Sequence, residues 1–189
     1  LTHVKMMSQT GHFPYFTNGT YSVLELPYAT EPSLSLFVIL PKQIGGLLDL
    51  EKKLNKGFID QWMDQLTATF VKINLPTFTL KNAGNWNKTL SPLGMEEAFS
   101  QNANFTGVSD TTDLKLAFFN HASQLSIDEQ GTEAATASAA GFNVTSTAHS
   151  TSPLLFHADH PFLFYLIEKN SETILFMGRF LGETSNNDF

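Results

Sequence analysis

From Ala134 to Ala158 the chain runs for 25 residues without an Asp, Glu, Lys or Arg, and Thr132 to Ala140 (TEAATASAA) is built almost wholly of small side chains. A solvated loop usually carries more Gly, Pro, Asn and charge. Composition alone reads as a flexible Ala/Ser/Thr linker or a weak helix. Alternation adds to that reading. Taken every second residue, one face is Thr132, Ala134, Thr136, Ser138, Ala140, Phe142 and Val144, and the other is Glu133, Ala135, Ala137, Ala139, Gly141 and Asn143. The charged group, Glu133, lies on the second face. Laid into a sheet as a strand, the segment would put its uncharged face on a core and leave Glu133 in water, so no ion is buried. A loop that can become a strand is a switch.

The rest of the chain is globular in composition. Eleven Lys and Arg stand against 18 Asp and Glu, a net charge of −7, and 42% of the 189 residues are hydrophobic. A domain of this size buries about 70% of its unfolded surface, enough for a core without disulfides. The chain has no cysteine, which removes zinc-thiolate sites, thiol nucleophiles and CxxC redox chemistry without fixing a compartment. The acidic balance argues against a nucleic-acid partner. The longest apolar run, Leu34 to Pro41, is too short to span a bilayer, and LTHVKMMSQT lacks a basic start followed by an apolar stretch. Neither a membrane anchor nor a signal peptide is expected in these residues.

Along the chain, Val4 to Met7 with Tyr15 and Phe16 reads as extended chain entered without a turn or cap, the pattern of a truncated domain. Tyr21 to Pro27 and Leu34 to Leu40 read as strands joined by ATEPS, the second apolar on both faces and therefore buried. Leu47, Leu50 and Leu54, then Phe58, Ile59, Trp62, Met63 and Leu66, predict two short amphipathic helices covering a core, broken at Asn55 to Gly57. Val71 to Leu80 predicts a strand with Pro76 at an edge or bulge. A short helix follows from Trp86 to Leu93, then a turn-rich segment from Ser100 to Asp110. Leu114 to Asp128 is strand-like, and Pro161 to Lys169 and Thr173 to Phe180 predict a hairpin through Asn170 to Glu172. Strands dominate, helices are short and clustered, and no βαβ rhythm appears, so the class is α+β with mixed and antiparallel sheets.

IDEQGTEAATASAA resembles the hinge of a serpin reactive-centre loop. VKMMSQTGHFPYF, VLELPY, LSLFVILP, VKINLPTFTL, LGMEEAFSQNANFTGVS and HADHPFLFYLIEKNSETILFMGRF resemble further serpin segments, in the family's order, so the resemblance runs from Val4 to Phe180. A serpin is roughly twice this length. The resemblance therefore implies that residues 1–189 are the C-terminal portion of one serpin domain, with the loop at about 129–153 and the N-terminal half of the domain as a missing partner, without which no inhibition is expected.

In the family, a target serine protease cleaves the exposed loop and forms an acyl-enzyme, and the loop then inserts as a new central strand and distorts the protease. The serpin supplies a scissile peptide rather than a nucleophile, so neither enzymatic activity nor a cofactor is expected. Hinge roles fall by resemblance on Glu129, Gly131, Thr132, Glu133, Ala134, Ala135 and Ala137. Gly131 gives backbone freedom where the chain folds back. Family spacing, with the scissile residue seventeenth from Glu129, places the bond at Thr145–Ser146, with Val144 or Ser146 as alternatives. The first Lys or Arg after the hinge is Lys169, so the resemblance implies an elastase-like target with a small S1 pocket. A chymotrypsin-like protease would need Phe142. His121 matches the histidine that closes the centre of the family's main sheet.

Four sequons, Asn18 (NGT), Asn87 (NKT), Asn104 (NFT) and Asn143 (NVT), support a secretory, extracellular route. A glycan on Asn143 would obstruct docking at the predicted bond. His157, Asp159 and His160 (HADH) have metal-like spacing but no fourth ligand, so no metal is expected. Trp62 and Trp86 read as packing residues. No GxSxG, HExxH, P-loop or GxGxxG occurs. The competing reading is a non-inhibitory serpin that carries a small ligand or acts as a precursor. Glycosaminoglycan activation is not legible, because the basic helix that serves it in some members would lie in the other half.

Overall fold

The computed structural model describes residues 4–28, 31, 33–110, 114–129 and 152–182. These form two compact units, Leu1–Phe78 with Ile127–Phe189, and Thr79–Ser126. The class is α+β. Among the described residues no helix is long and apolar enough to cross a membrane.

The first unit is built on a seven-stranded sheet. Its strands are β1 (Met6–Thr17), β2 (Tyr21–Pro27), β3 (Leu34–Pro41), β4 (Thr67–Pro76), β7 (Leu154–His157), β8 (Phe162–Glu168) and β9 (Thr173–Phe180), in the order β7-β4-β1-β2-β3-β8-β9. All neighbours are antiparallel except β7 and β4, which are parallel. β1 changes partner along its length, pairing with β4 from Met6 to Tyr15 and with β2 from Tyr15 to Thr17. The expected hairpin of Tyr21–Pro27 with Leu34–Leu40 is present as β2 and β3, and Tyr28, Glu31 and Ser33 are the described residues of its connection.

β3 is buried along nearly its whole length, as its two-sided apolar pattern requires. One face of the central strands is covered by α1 (Leu47–Glu51) and α2 (Lys56–Met63). Leu47, Leu50, Phe58 and Trp62 sit on Tyr21, Val23, Phe37, Ile39, Leu163, Tyr165 and Ile167. The two helices separate where the sequence breaks them. Asn55 caps α2 from an extended backbone, its Oδ1 accepting the Phe58 N–H at 2.8 Å. Phe78, Phe162, Phe164 and Phe180 form an aromatic group with centroids 4.9–5.9 Å apart.

Gly178 of β9 lies opposite Phe164 of β8. A Cβ added there would stand 2.6 Å from Phe164 Cζ, and Phe164 is itself 3% exposed and held against Phe78. Gly178→Ala is therefore expected to cost about 1–3 kcal/mol by overpacking. Urea unfolding of the full-length protein reads this, and Phe164→Leu in the same chain is expected to recover part of it.

The β8–β9 hairpin turns at Asn170 to Glu172, as its sequence predicts, with Glu172 at φ 53°. Glu168 anchors the turn: the Ser171 hydroxyl and N–H donate to its Oε2 at 2.5 and 2.7 Å. These bonds hold its carboxyl down to about 2, from an ordinary 4.5. A depressed carboxylate stabilises the fold above its unfolded value and loses that contribution as pH falls through its folded value. The turn is thus expected to weaken between about 4.5 and 2, and an NMR titration in which Glu168 reports near 2 and Ser171→Ala raises it would bear this out.

The second unit holds most of β5 (Phe78–Asn85) and β6 (Asn120–Ile127), paired as a two-stranded sheet. It also holds α3 (Asn87–Leu90), a 3-10 turn at Ser91–Leu93 and α4 (Glu96–Phe99). The strand expected over Val71 to Leu80 is thus two strands in two sheets. β4 ends at Pro76, which brings no N–H to a ladder, and the chain passes through Thr77 into β5.

Candidate reactive-loop hinge

β6 leads the chain toward the candidate hinge. Within the second unit its lower end is fixed by side-chain amides. Asn85 Nδ2 donates to Asn120 Oδ1 at 3.1 Å, while Asn87 accepts the Phe119 N–H at 2.7 Å and donates from Nδ2 to the Ala117 carbonyl at 3.1 Å. Near its upper end the hydroxyls of Thr79 and Ser126 bond at 2.9 Å. His121 stands exposed on β6 with its ring edge-on to Trp86, centroids 5.7 Å apart at 84°. Trp86 is therefore a packing residue, as expected, and its partner is the histidine singled out in the sequence.

In the first unit the chain reaches the candidate hinge through Ile127, 4% exposed, then Asp128 and Glu129. Lys5 Nζ donates to Glu129 Oε2 at 2.9 Å, both side chains being exposed. The Lys5 carbonyl accepts from the N–H and hydroxyl of Thr77 at 2.9 and 3.3 Å, which sets the lysine over the β4–β5 corner. An exposed pair of this kind stabilises by at most about 1 kcal/mol, so it positions more than it holds. Burial, then the negative charge of Asp128, pushes the Tyr28 hydroxyl up. Gly131, Thr132, Glu133, Ala134, Ala135 and Ala137, the bond Thr145–Ser146 with its alternative Val144, and Asn143 lie outside the described residues.

After the undescribed residues 130–151 the chain is held again at β7. β7 lies parallel to β4, a strand whose few residues gave no periodic signal in the sequence. The Ala158 N–H bonds to the Asn74 carbonyl at 2.9 Å. His157 Nδ1 and Asn74 Nδ2 are 3.1 Å apart, and His157 Nε2 lies 3.7 Å from Asp159 Oδ2. His160 places Nδ1 2.7 Å from Asp159 Oδ1 and Nε2 2.7 Å from the Pro41 carbonyl. Both of its ring nitrogens face oxygen acceptors, so the HADH segment straps the strand after the loop to β3 and β4 rather than opening toward an ion. The bond from His160, and secondarily the charge of His157, holds the Asp159 carboxyl below its usual range against partial burial. Among the described residues no group of three or more His, Asp or Glu could hold a metal ion.

The remaining described sequons differ in setting. Asn18 closes the β1–β2 turn, its Oδ1 accepting from Thr20 and Tyr21 N–H at 2.8 and 2.9 Å. Asn104 is exposed, its Oδ1 accepting from the N–H and hydroxyl of Thr106 at 3.1 and 2.8 Å. Asn87 is half-buried in the clasp at the base of β6.

Comparison with known proteins covers the whole of this geometry. The sequence model of the family described as "Serpin (serine protease inhibitor)" matches residues 1–182. An uncharacterized serpin-like protein of Thermococcus kodakarensis is 38% identical over 178 residues, 94% of this chain and 41% of the relative. Neuroserpin of Gallus gallus is 34% identical over 198 residues, 98% and 47% of the two chains, and the leukocyte elastase inhibitor of Xenopus laevis is 37% identical over 184, 94% and 48%. The crystal structure of uncleaved ovalbumin superposes with a TM-score of 0.81 at 30% identity, covering 95% of this chain and 48% of that one. The chain spans less than half the length of each of these relatives. The match of the family model over residues 1–182 shows that the chain belongs to the serpin family.

Proposed function

We propose that the domain whose C-terminal portion this chain forms is a secreted suicide inhibitor of a serine endopeptidase. The hinge carries this reading: Thr132 to Ala140 offers one strand face without charge or bulk, so the loop can enter a sheet core without burying an ion. The target's serine attacks the Thr145 carbonyl, the bond to Ser146 breaks, and the protease's own acid gives a proton to the Ser146 amine. Thr145 is then esterified to the protease. Insertion of residues from Thr132 onward as a new strand carries the protease away before water can deacylate it. A small neutral residue at the cleaved position suits an elastase-like target, and the likeness to a protein named leukocyte elastase inhibitor supports that class.

The remaining half of the domain is the proposed partner of the exposed apolar residues on β9, where Leu175 is 49% and Met177 71% exposed. A test that separates inhibitor from carrier is the melting temperature of the full-length protein before and after the loop is nicked. Insertion adds a strand's ladder bonds and packing, so a large rise is expected. An unchanged melting temperature would favour a carrier whose loop does not insert.

A further inference from the structure

One cluster of titratable side chains takes no part in the proposed inhibition. His160 has an acceptor at each ring nitrogen: Asp159 Oδ1 lies 2.7 Å from Nδ1, and the Pro41 carbonyl of β3 lies 2.7 Å from Nε2. A neutral imidazole carries one N–H and serves one oxygen, whereas an imidazolium serves both. The His160 side chain is 11% exposed, so water is a poor substitute for the second bond.

His157 meets the opposite demand. Asn74 Nδ2 of β4 lies 3.1 Å from its Nδ1, and a ring nitrogen accepts from an amide only through its lone pair. Its Nε2, 3.7 Å from Asp159 Oδ2, then carries the N–H. Asp159 and His157 are the titratable groups around His160. β4 brings the uncharged Asn74, and β3 brings a carbonyl, with the exposed Lys42 next in the chain. Among the described residues Asp159 has no Lys or Arg partner, so the two histidines are its counter-charges. The bond from His160 is the first cause that holds the Asp159 carboxyl below its usual range.

We infer that His160 is a proton-operated latch on β7. With both nitrogens protonated it ties Asp159 to Pro41. When it gives the Nε2 proton to solvent, a lone pair faces the Pro41 oxygen and the strap to β3 opens. Nδ1 keeps its proton, because its partner is the charged one. β7, four residues long at the edge of the sheet, is then held by β4 without the strap. The second bond exists only while the proton is on. Its contribution is therefore present on the acid side and lost as pH rises through the histidine range, about pH 5 to 8. The latch belongs to the folded domain and is independent of inhibition.

Amide exchange of the full-length protein tests this, read at the Ala158 N–H, which bonds to the Asn74 carbonyl at 2.9 Å, and corrected for the intrinsic rate at each pH. Protection there is expected to fall about tenfold across that range, the scale of one hydrogen bond to a charged group. The Tyr28 N–H, bonded to the Leu34 carbonyl at the other end of β3, should hold its protection. His160→Gln should remove the step, because its amide does not titrate, and His157→Gln should keep it. A step that survives His160→Gln, one that His157→Gln removes, or no step in the unaltered protein overturns the latch. Nitrogen NMR of the imidazoles in the unaltered protein decides the matter even where the glutamine variant fails to fold. The latch requires both His160 nitrogens protonated at the acid end, with Nε2 losing its proton first. A ring singly protonated at the acid end, or first loss from Nδ1, overturns it.

Discussion

Thr132→Arg in the full-length protein is expected to turn an inhibitor into a substrate. Thr132 is the first residue of the face that also carries Ala134, Thr136, Ser138 and Ala140, the face that insertion would bury. A guanidinium there must leave water at a cost of several kcal/mol unless it finds a partner. Inhibition depends on insertion outrunning deacylation, and each 1.4 kcal/mol added to the insertion barrier slows it about tenfold. Cleavage should then proceed at its original rate while the trapped complex disappears from denaturing gels. The same change at Glu133, on the opposite face, should leave trapping nearly intact. Equal loss at both positions would show that charge in the loop, and not burial of one face, is what matters.

The largest expected loss of stability comes from Trp62→Ala, at about 3–5 kcal/mol. Trp62 is fully buried, its ring 5.2 Å from Phe37, and it joins α2 to the strands that carry Tyr21, Ile39 and Tyr165. Its indole Nε1 has no hydrogen-bond partner among the described residues, so shape and area account for its contribution. Trp62→Phe removes no hydrogen bond and should cost a fraction of the alanine change. Urea midpoints at unchanged slope measure both. A phenylalanine variant as weak as the alanine variant would point to a polar role for the indole.

The same tryptophan shows what the sequence makes legible. Leu47, Leu50, Phe58 and Trp62 repeat at helical spacing, and each lies in the core under α1 or α2. The hairpins β2–β3 and β8–β9 were equally plain, because each is a pair of apolar runs separated by turn residues and needs nothing remote. Periodicity does not encode sheet membership, however. Val71 to Leu80 keeps its alternation through Pro76, yet β4 pairs with β1 and β5 with β6. β7 escaped notice because its four residues are held by a parallel partner far away in sequence.

The site divides in the same way. The proposed hinge is legible through alternation and its resemblance to a serpin loop, since composition alone reads as a linker or a weak helix. Its fastenings are not. Lys5 and Glu129 are 124 residues apart, and nothing in either neighbourhood announces the other. His160 read as a metal-like histidine from its spacing, while its actual partner across the sheet, the Pro41 carbonyl, has no sequence signature. His121 was singled out by resemblance and Trp86 as a packing residue, but their contact was not legible, because an edge-to-face contact between two segments leaves no mark on either.

The most direct test of the account is to mix the full-length protein with an elastase-like protease, run a denaturing gel and identify the released peptide by mass. The account predicts a complex that survives SDS and a peptide beginning at Ser146. Cleavage without such a complex would contradict it.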